Sequence, residues 1–475
     1  MPTRSFRLIA TLAVLSVFVL PCPARAQTDT SLKLSTTNAT AAAEFRAGVL
    51  DYQNISFESA AAHFKAAVDA DPKFGLARVL YAGTAFGLDQ SQLEAELSRG
   101  VADAAHGSNK ELILAAAYRE AALGHTDVAN ALFRAASQLM PSDRLVAFAS
   151  TGGVFSANLA AARDLVTKYP DYPLGYNSLA YLSWNNGDRA GALAAAKRQV
   201  ELNPTAPNPH DTYAEILQWN GNFADAAAHY KQATTLTPRF PEAYAGLAEV
   251  AVLQGQYDQA RSYLNQAIAN AWTPQQRLTY MRQIVGTYIV QGAPAEPVTK
   301  ALEAAIAEAK VQRDKRTTAV LYSQLATVQA NSGNANAAHQ SLALAKAADA
   351  DVPWNVHYYG AMAHGLLKHW SPAAQELAAL KALAMTDDGV SKDMLAALEG
   401  YQLTQQGKPA EALPILMAAD TTDILVMNRI AEAHAALGHS AEAASWNSRV
   451  NANYALNLGD FTNVNSRRRA RLATR

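Results

Sequence analysis

The sequence predicts an all-α chain built from antiparallel helix pairs, and three observations predict it. One pattern returns three times at a spacing of 34 residues between 173 and 274. Each return places a glycine-centred turn between two stretches of helical apolar periodicity. Half of the residues are apolar, alanine, the best helix former, dominates, and strand-like alternation is scarce.

Each part of the repeat has a physical role. Pro173, Pro207 and Pro241 open the copies, because the missing proline N–H costs nothing in the first turn of a helix. Fourteen residues on, Asn186-Gly187-Asp188, Asn220-Gly221-Asn222 and Gln254-Gly255-Gln256 form the turns. Glycine supplies the left-handed residue that closes the first helix, and Asp188 or Asn222 then caps the second. Small residues at the eighth and twentieth places, Ala180 with Ala192, Ala214 with Ala226 and Ala248 with Ala260, let the two helices approach closely. Pro204 and Pro238 end the second helix in two copies, whereas the third has Trp272 there and Pro274 two residues later.

This pattern resembles the tetratricopeptide repeat (TPR), a helix-turn-helix unit of the same length. The resemblance implies a TPR-like, right-handed superhelical solenoid in which stacked pairs bury their apolar faces only against neighbours. Further copies carry the markers at 41–74 (Gly48, Ala60, Phe64, Ala67, Pro72), 110–143 (Gly124, Ala129, Phe133, Ala136, Pro141), 319–352 (Leu325, Gly333, Ala338), 393–423 (Gly400, Gly407, Ala412) and 424–457 (Ala431, Gly438, Ala443). Segments 75–109, 144–172 and 277–318 are helical by continuity, and 355–390 form a pair with Trp370-Ser371-Pro372 at its turn.

Around this array the sequence suggests other segments. Arg4 and Arg7 precede an apolar run from Leu8 to Leu20, and Ala24-Arg25-Ala26 follows, so residues 1–26 read as a cleaved secretory signal. Cys22, the single cysteine, lies in that signal, and Pro21 before it makes a poor lipoprotein site. The mature chain is therefore expected to be exported, to a periplasm if bacterial and otherwise secreted, with no transmembrane segment. Residues 27–40, rich in Ser and Thr, read as a disordered lead-in. The array then divides into 41–290 and 319–457, joined by 291–318, an irregular segment containing the charged run Lys310 to Arg316 that reads as a longer exposed helix in the first place and as a hinge in the second. Residues 458–475 form a basic tail with Arg467, Arg468, Arg469, Arg471 and Arg475, read first as a solvated end, with attachment to an acidic surface and an internal ligand for the acidic groove as the alternatives.

Charge excludes one function class. The whole chain has 40 basic and 41 acidic residues, and the signal holds three of the arginines, leaving 37 against 41. Near-neutrality argues against a nucleic-acid partner. Without the five tail arginines the body carries 32 basic residues against 41 acidic.

No constellation demands an enzyme or a cofactor: H-E-x-x-H, a phosphate loop and a G-x-S-x-G elbow are all missing. His357, His364 and His369 are the densest histidine group, with no acid in the same helix, and they read as surface or packing residues rather than metal ligands. His434 and His439, at the last turn, read the same way. In proteins of the resembled family, places 2, 5, 9, 12 and 13 of the first helix line a groove that binds extended peptides or partner helices. Carried over, these places give Asn177, Tyr181, Trp184 and Asn185, then Asp211, Glu215, Gln218 and Trp219, then Glu242 and Glu249. Carboxylates beside indoles suit a basic or aromatic peptide, whereas packing of Trp184 and Trp219 between successive repeats is the competing and slightly favoured reading. The family's chaperone-tail receptors use basic residues at such places, which this chain lacks. The sequence thus suggests a non-enzymatic binding scaffold or adaptor of the cell envelope. The alternatives are a metal-dependent enzyme near His357 to His369 and a membrane-associated secretion or assembly subunit.

Overall fold

Proline, glycine and alanine act in the computed structural model as their spacing predicts. The structure describes residues 32–85, 88, 90–151, 158–385 and 389–473. The proposed signal, Cys22 and Arg475 lie outside them. Among the described residues there are 25 helices and no strand. No helix there is long and apolar enough to cross a membrane.

The chain divides into two compact units, one through Ala243 and one from Tyr244 to Arg475. In the N-terminal unit the hairpins are α1 (Ala39–Gln53) with α2 (Phe57–Ala70), α3 (Gly75–Thr84) with α4 (Gln90–Ala104), and α5 (Asn109–Ala122) with α6 (Thr126–Leu139). The short α7 (Arg144–Ser150) and α8 (Leu159–Lys168) follow. Then come α9 (Pro173–Asn185) with α10 (Arg189–Leu202) and α11 (Pro207–Trp219) with α12 (Phe223–Leu236). The division falls within α13 (Pro241–Leu253).

The C-terminal unit continues with α14 (Tyr257–Ala269), α15 (Pro274–Gln291) and α16 (Ala295–Val311). Its hairpins are α17 (Lys315–Asn331) with α18 (Ala335–Ala348), α19 (Trp354–Leu366) with α20 (Trp370–Leu383), α21 (Lys392–Gln405) with α22 (Pro409–Met417), and α23 (Ile424–Ala436) with α24 (Ser440–Asn451). The last element is α25 (Phe461–Ala473). Within the segment 291–318, α16 is a regular helix whose Val298, Leu302, Ala305, Ile306 and Ala309 are buried.

The small residues at the eighth and twentieth places are where the paired helices touch. Ala180, Ala192, Ala214, Ala226, Ala248 and Ala260 are all fully buried. Where glycine holds the eighth place, an added Cβ would stand 2.7 Å from the Phe64 ring at Gly48 and 2.6 Å from Leu416 at Gly400. Asp188 caps α10 by accepting from the Gly191 N–H, whereas Asn222 occupies the same place without a side-chain cap bond. The turn glycines Gly124, Gly187, Gly221, Gly255, Gly333, Gly407 and Gly438 all have φ between 77° and 83°. Ile55, Arg313 and Lys368 hold the same left-handed conformation without being glycine.

Two expected segments are corrected. The lead-in is ordered from Leu32 onward: Leu32 is buried, Ser35 donates from N and Oγ to the Glu111 carboxylate, and Asn38 caps α1. Its polar composition serves specific hydrogen bonds, which composition alone does not show. The basic tail is also not a solvated end. It forms α25, which packs on α15, α23 and α24 and buries Phe461, Val464 and Ala470.

The turn geometry yields a paired stability prediction. An added Cβ at Gly187 meets nothing within 4 Å, so Gly187→Ala tests backbone conformation alone. It is expected to lower stability by about 1 kcal/mol, and Arg313→Gly, at an exposed left-handed site, to raise it by up to about 1 kcal/mol. Urea unfolding of both variants checks this, and two shifts of the same sign would contradict it.

Candidate functional site

The expected groove residues fall into two groups that the structure treats differently. In the N-terminal unit, α9 and α11 stand side by side and bring Tyr181, Trp184, Glu215 and Trp219 together. The Tyr181 hydroxyl donates to Glu215 Oε2 at 2.8 Å. Burial, then Glu215 and Asp211, push the Tyr181 hydroxyl well above its ordinary pKa, so it stays a donor. Trp219 is 8% exposed, with its ring centroid 6.0 Å from that of Tyr181 and 5.2 Å from that of Trp184. It therefore packs between successive repeats. Trp184 is half-buried, and the Arg189 guanidinium lies 3.3 Å from its ring centroid. This cation, missed in the sequence, comes from the second helix of the same hairpin.

The other members sit apart from that cluster. Asn177 is buried and donates from Nδ2 to Thr212 Oγ1 at 2.8 Å, so it joins two repeats instead of facing outward. Gln218 is fully buried and accepts from the Tyr230 hydroxyl at 3.3 Å. Asn185 is exposed, and Asp211 and Glu242 are half-buried. Glu249 is fully buried and belongs to the C-terminal unit. There it acts on Arg467 of α25: burial pulls the Arg467 pKa down and the Glu249 charge opposes this. A buried carboxylate does not offer an open contact to a peptide.

In the C-terminal unit α25 packs on the first helices α15 and α23 and also on the second helix α24. Arg467 donates to the carbonyls of Asn453 and Ala455, and Arg471 to the Tyr257 hydroxyl and the Val290 carbonyl. Arg469 Nη1 reaches Glu432 Oε1 at 2.5 Å, while Arg429 holds Oε2 at 2.6 Å. The Phe461 ring lies 5.4 Å from that of Tyr359. Beside α25 remains a cavity of about 340 Å³, lined among others by Tyr358, Tyr359, Met362, Arg429, Arg468 and Arg469.

The histidines separate as well. His357 does not join His364 and His369, and its Nδ1 pairs with Glu376 at 2.7 Å, which also binds Lys346 Nζ at 2.5 Å. His364 and His369 instead meet His339 of α18, which the sequence reading passed over because it lies in the preceding hairpin. Burial lowers the His364 pKa, with Glu376 opposing and His339 and His369 adding to the fall. His434 and His439 face each other, Nδ1 to Nδ1 at 3.3 Å.

Hairpins of two close helices, repeated with a positive-φ turn, define an all-α helical-repeat protein. Residues 217–271 match the family profile described as Tetratricopeptide repeat. That match supports tetratricopeptide repeats in this part of the chain.

Similar solved structures include a thermophilic TPR protein of Thermus thermophilus, 24% identical over 36% of this chain and 96% of that one, with a TM-score of 0.32. YrrB, titled a TPR protein with an unusual peptide-binding site, is 15% identical over 45% of this chain and 99% of its own, with a TM-score of 0.29. The human IFIT1 dimer with PPP-AAAA is 14% identical over 79% and 89%, with a TM-score of 0.44. Comparison with curated proteins finds no match.

The Glu432 site predicts an acid transition. Burial alone would raise its carboxyl pKa, but Arg429 and Arg469 bring it down to about 2. A depressed carboxylate contributes stability that is full above its ordinary pKa of 4.5 and lost as pH falls through about 2. Glu432→Gln is expected to cost about 2 kcal/mol at pH 7 and to flatten the stability profile between those values. Thermal unfolding against pH checks it, and an unchanged profile would contradict it.

Proposed function

We propose that the protein is a non-enzymatic scaffold or adaptor of the cell envelope that binds a basic helix or peptide on the first-helix face of its repeats. The observation that carries this reading is α25. An arginine-rich helix of the chain itself lies on such a face, held by a carboxylate, backbone carbonyls and aromatic rings. This is the peptide-recognition chemistry in which a helix lays one face into a groove and charge fixes its register.

In the N-terminal unit, Tyr181, Trp184, Asp211 and Glu215 supply the same chemistry from α9 and α11. The half-buried Trp184 and Asp211 are its accessible members, and a basic partner would displace Arg189 from the indole. The signal-like residues 1–26 support the assignment to the envelope.

The test is isothermal titration of the mature chain with an arginine-rich helical peptide and with a glutamate-rich peptide of equal length. The basic peptide is expected to bind and the acidic one not to bind. Combining Asp211→Asn with Trp184→Ala is expected to weaken binding at least about tenfold, or about 1.4 kcal/mol. Circular dichroism would confirm that this variant stays folded. Equal binding of both peptides, or unchanged affinity in the folded variant, would overturn the reading.

A further inference from the structure

We propose that His339, His364 and His369 form a binding site for a divalent transition-metal ion, zinc in the first place. The site is independent of the peptide-binding face. His339 lies in the second turn of α18, His364 near the end of α19, and His369 stands at the N-cap position of α20 without a side-chain cap bond. Stacking of the α17–α18 hairpin on α19 sets His339 against the turn between α19 and α20. Lys368, in the left-handed conformation at that turn, reverses the chain so that His369 comes back beside His364.

The geometry suits a shared ion. One ring nitrogen from each residue lies within 4.8 Å of the other two. Ring centroids are 5.3 Å apart for His339 and His369, 5.6 Å for His339 and His364, and 6.3 Å for His364 and His369. Three nitrogens on one tetrahedral zinc, at bonds of about 2.0 to 2.1 Å, stand about 3.4 Å apart. The remaining closure needs side-chain rotation only, and His339 is exposed and free to turn.

A second observation points to a ligand. His364 Nδ1 is buried from solvent and has no hydrogen-bond partner. A buried polar nitrogen without a partner is costly, and a cation would satisfy it. Other histidines in the chain contrast with this group. His63, His125 and His357 each face a carboxylate, and His210 reaches both His229 and the Pro204 carbonyl. Among the described residues this is the one group of three potential ligands that converge.

The ligand type selects the ion. Three imidazoles suit zinc, copper, nickel or cobalt and not calcium or magnesium, which take oxygen ligands. Three protein ligands leave a fourth position for water or a partner's side chain, the arrangement of an open zinc site. Exposure of His339 places that position at the surface.

The experiment uses the mature chain without an affinity tag, stripped with chelator and titrated with zinc against a chromophoric competitor. One zinc per chain is expected, with no competition from magnesium. His339→Ala and His369→Ala are each expected to weaken binding more than about tenfold, since even the residues that merely support metal ligands cost that much. His357→Ala, which removes a neighbouring histidine outside the cluster, should leave affinity unchanged. Cobalt should give the strong visible absorption of a tetrahedral site in the parent chain and in His357→Ala, and should lose it in His339→Ala. His339 is exposed, so its variant keeps the fold, and circular dichroism verifies this. Failure to bind zinc, equal affinity in all three variants, or displacement by magnesium would overturn the proposal.

Discussion

The close approach of two helices within each hairpin is the constraint on which the rest of the structure depends. It requires a residue no larger than alanine where the helices touch, and Ala180 against Ala192 or Gly48 against Phe64 meets that requirement. A larger side chain would separate the axes and shift every face stacked on them. Because the touching atoms belong to small residues, the packing energy comes from their neighbours, such as Phe64, Phe133 and Tyr230 in the twenty-fourth place, all buried. The glycine turns then fix the direction in which the second helix returns.

That division of labour explains what could be read from the sequence. Spacing within one hairpin is local, so the prolines, the turn glycines and the paired alanines identified both the fold and most copies. Contacts between hairpins are not local. His339 and His364 meet because one hairpin stacks on the next, and a search for histidines along a single helix finds His357 instead, which turns to Glu376. The assigned groove places likewise carry no information on the depth of each side chain. Gln218 and Glu249 are buried where open contacts were expected.

The C-terminal segment illustrates a different limit. Five arginines with no acid after Asp460 suggest a solvated end, yet Phe461 and Val464 at helical spacing mark an apolar face that gives the segment a place to dock. Once docked, its charges are neither free nor merely tolerated. Glu432 answers Arg469, Glu249 acts on Arg467, and backbone carbonyls at Asn453, Ala455 and Val290 accept from Arg467 and Arg471. The acidic excess of the body is thus partly matched within the chain. A backbone approach supports the arrangement: a Cβ at Gly286 of α15 would stand 2.0 Å from the Leu458 carbonyl oxygen, so only glycine admits the segment leading into α25.

The central claim is that a repeat face of this protein holds an arginine-rich helix, its own. Amide hydrogen exchange of the mature chain, read over residues 458–473 and compared with α23, tests it most directly. Protection of the α25 amides close to that of α23 is the predicted result, since both belong to one packed face. Exchange over 458–473 as fast as in an unstructured peptide, with α23 still protected, would contradict it.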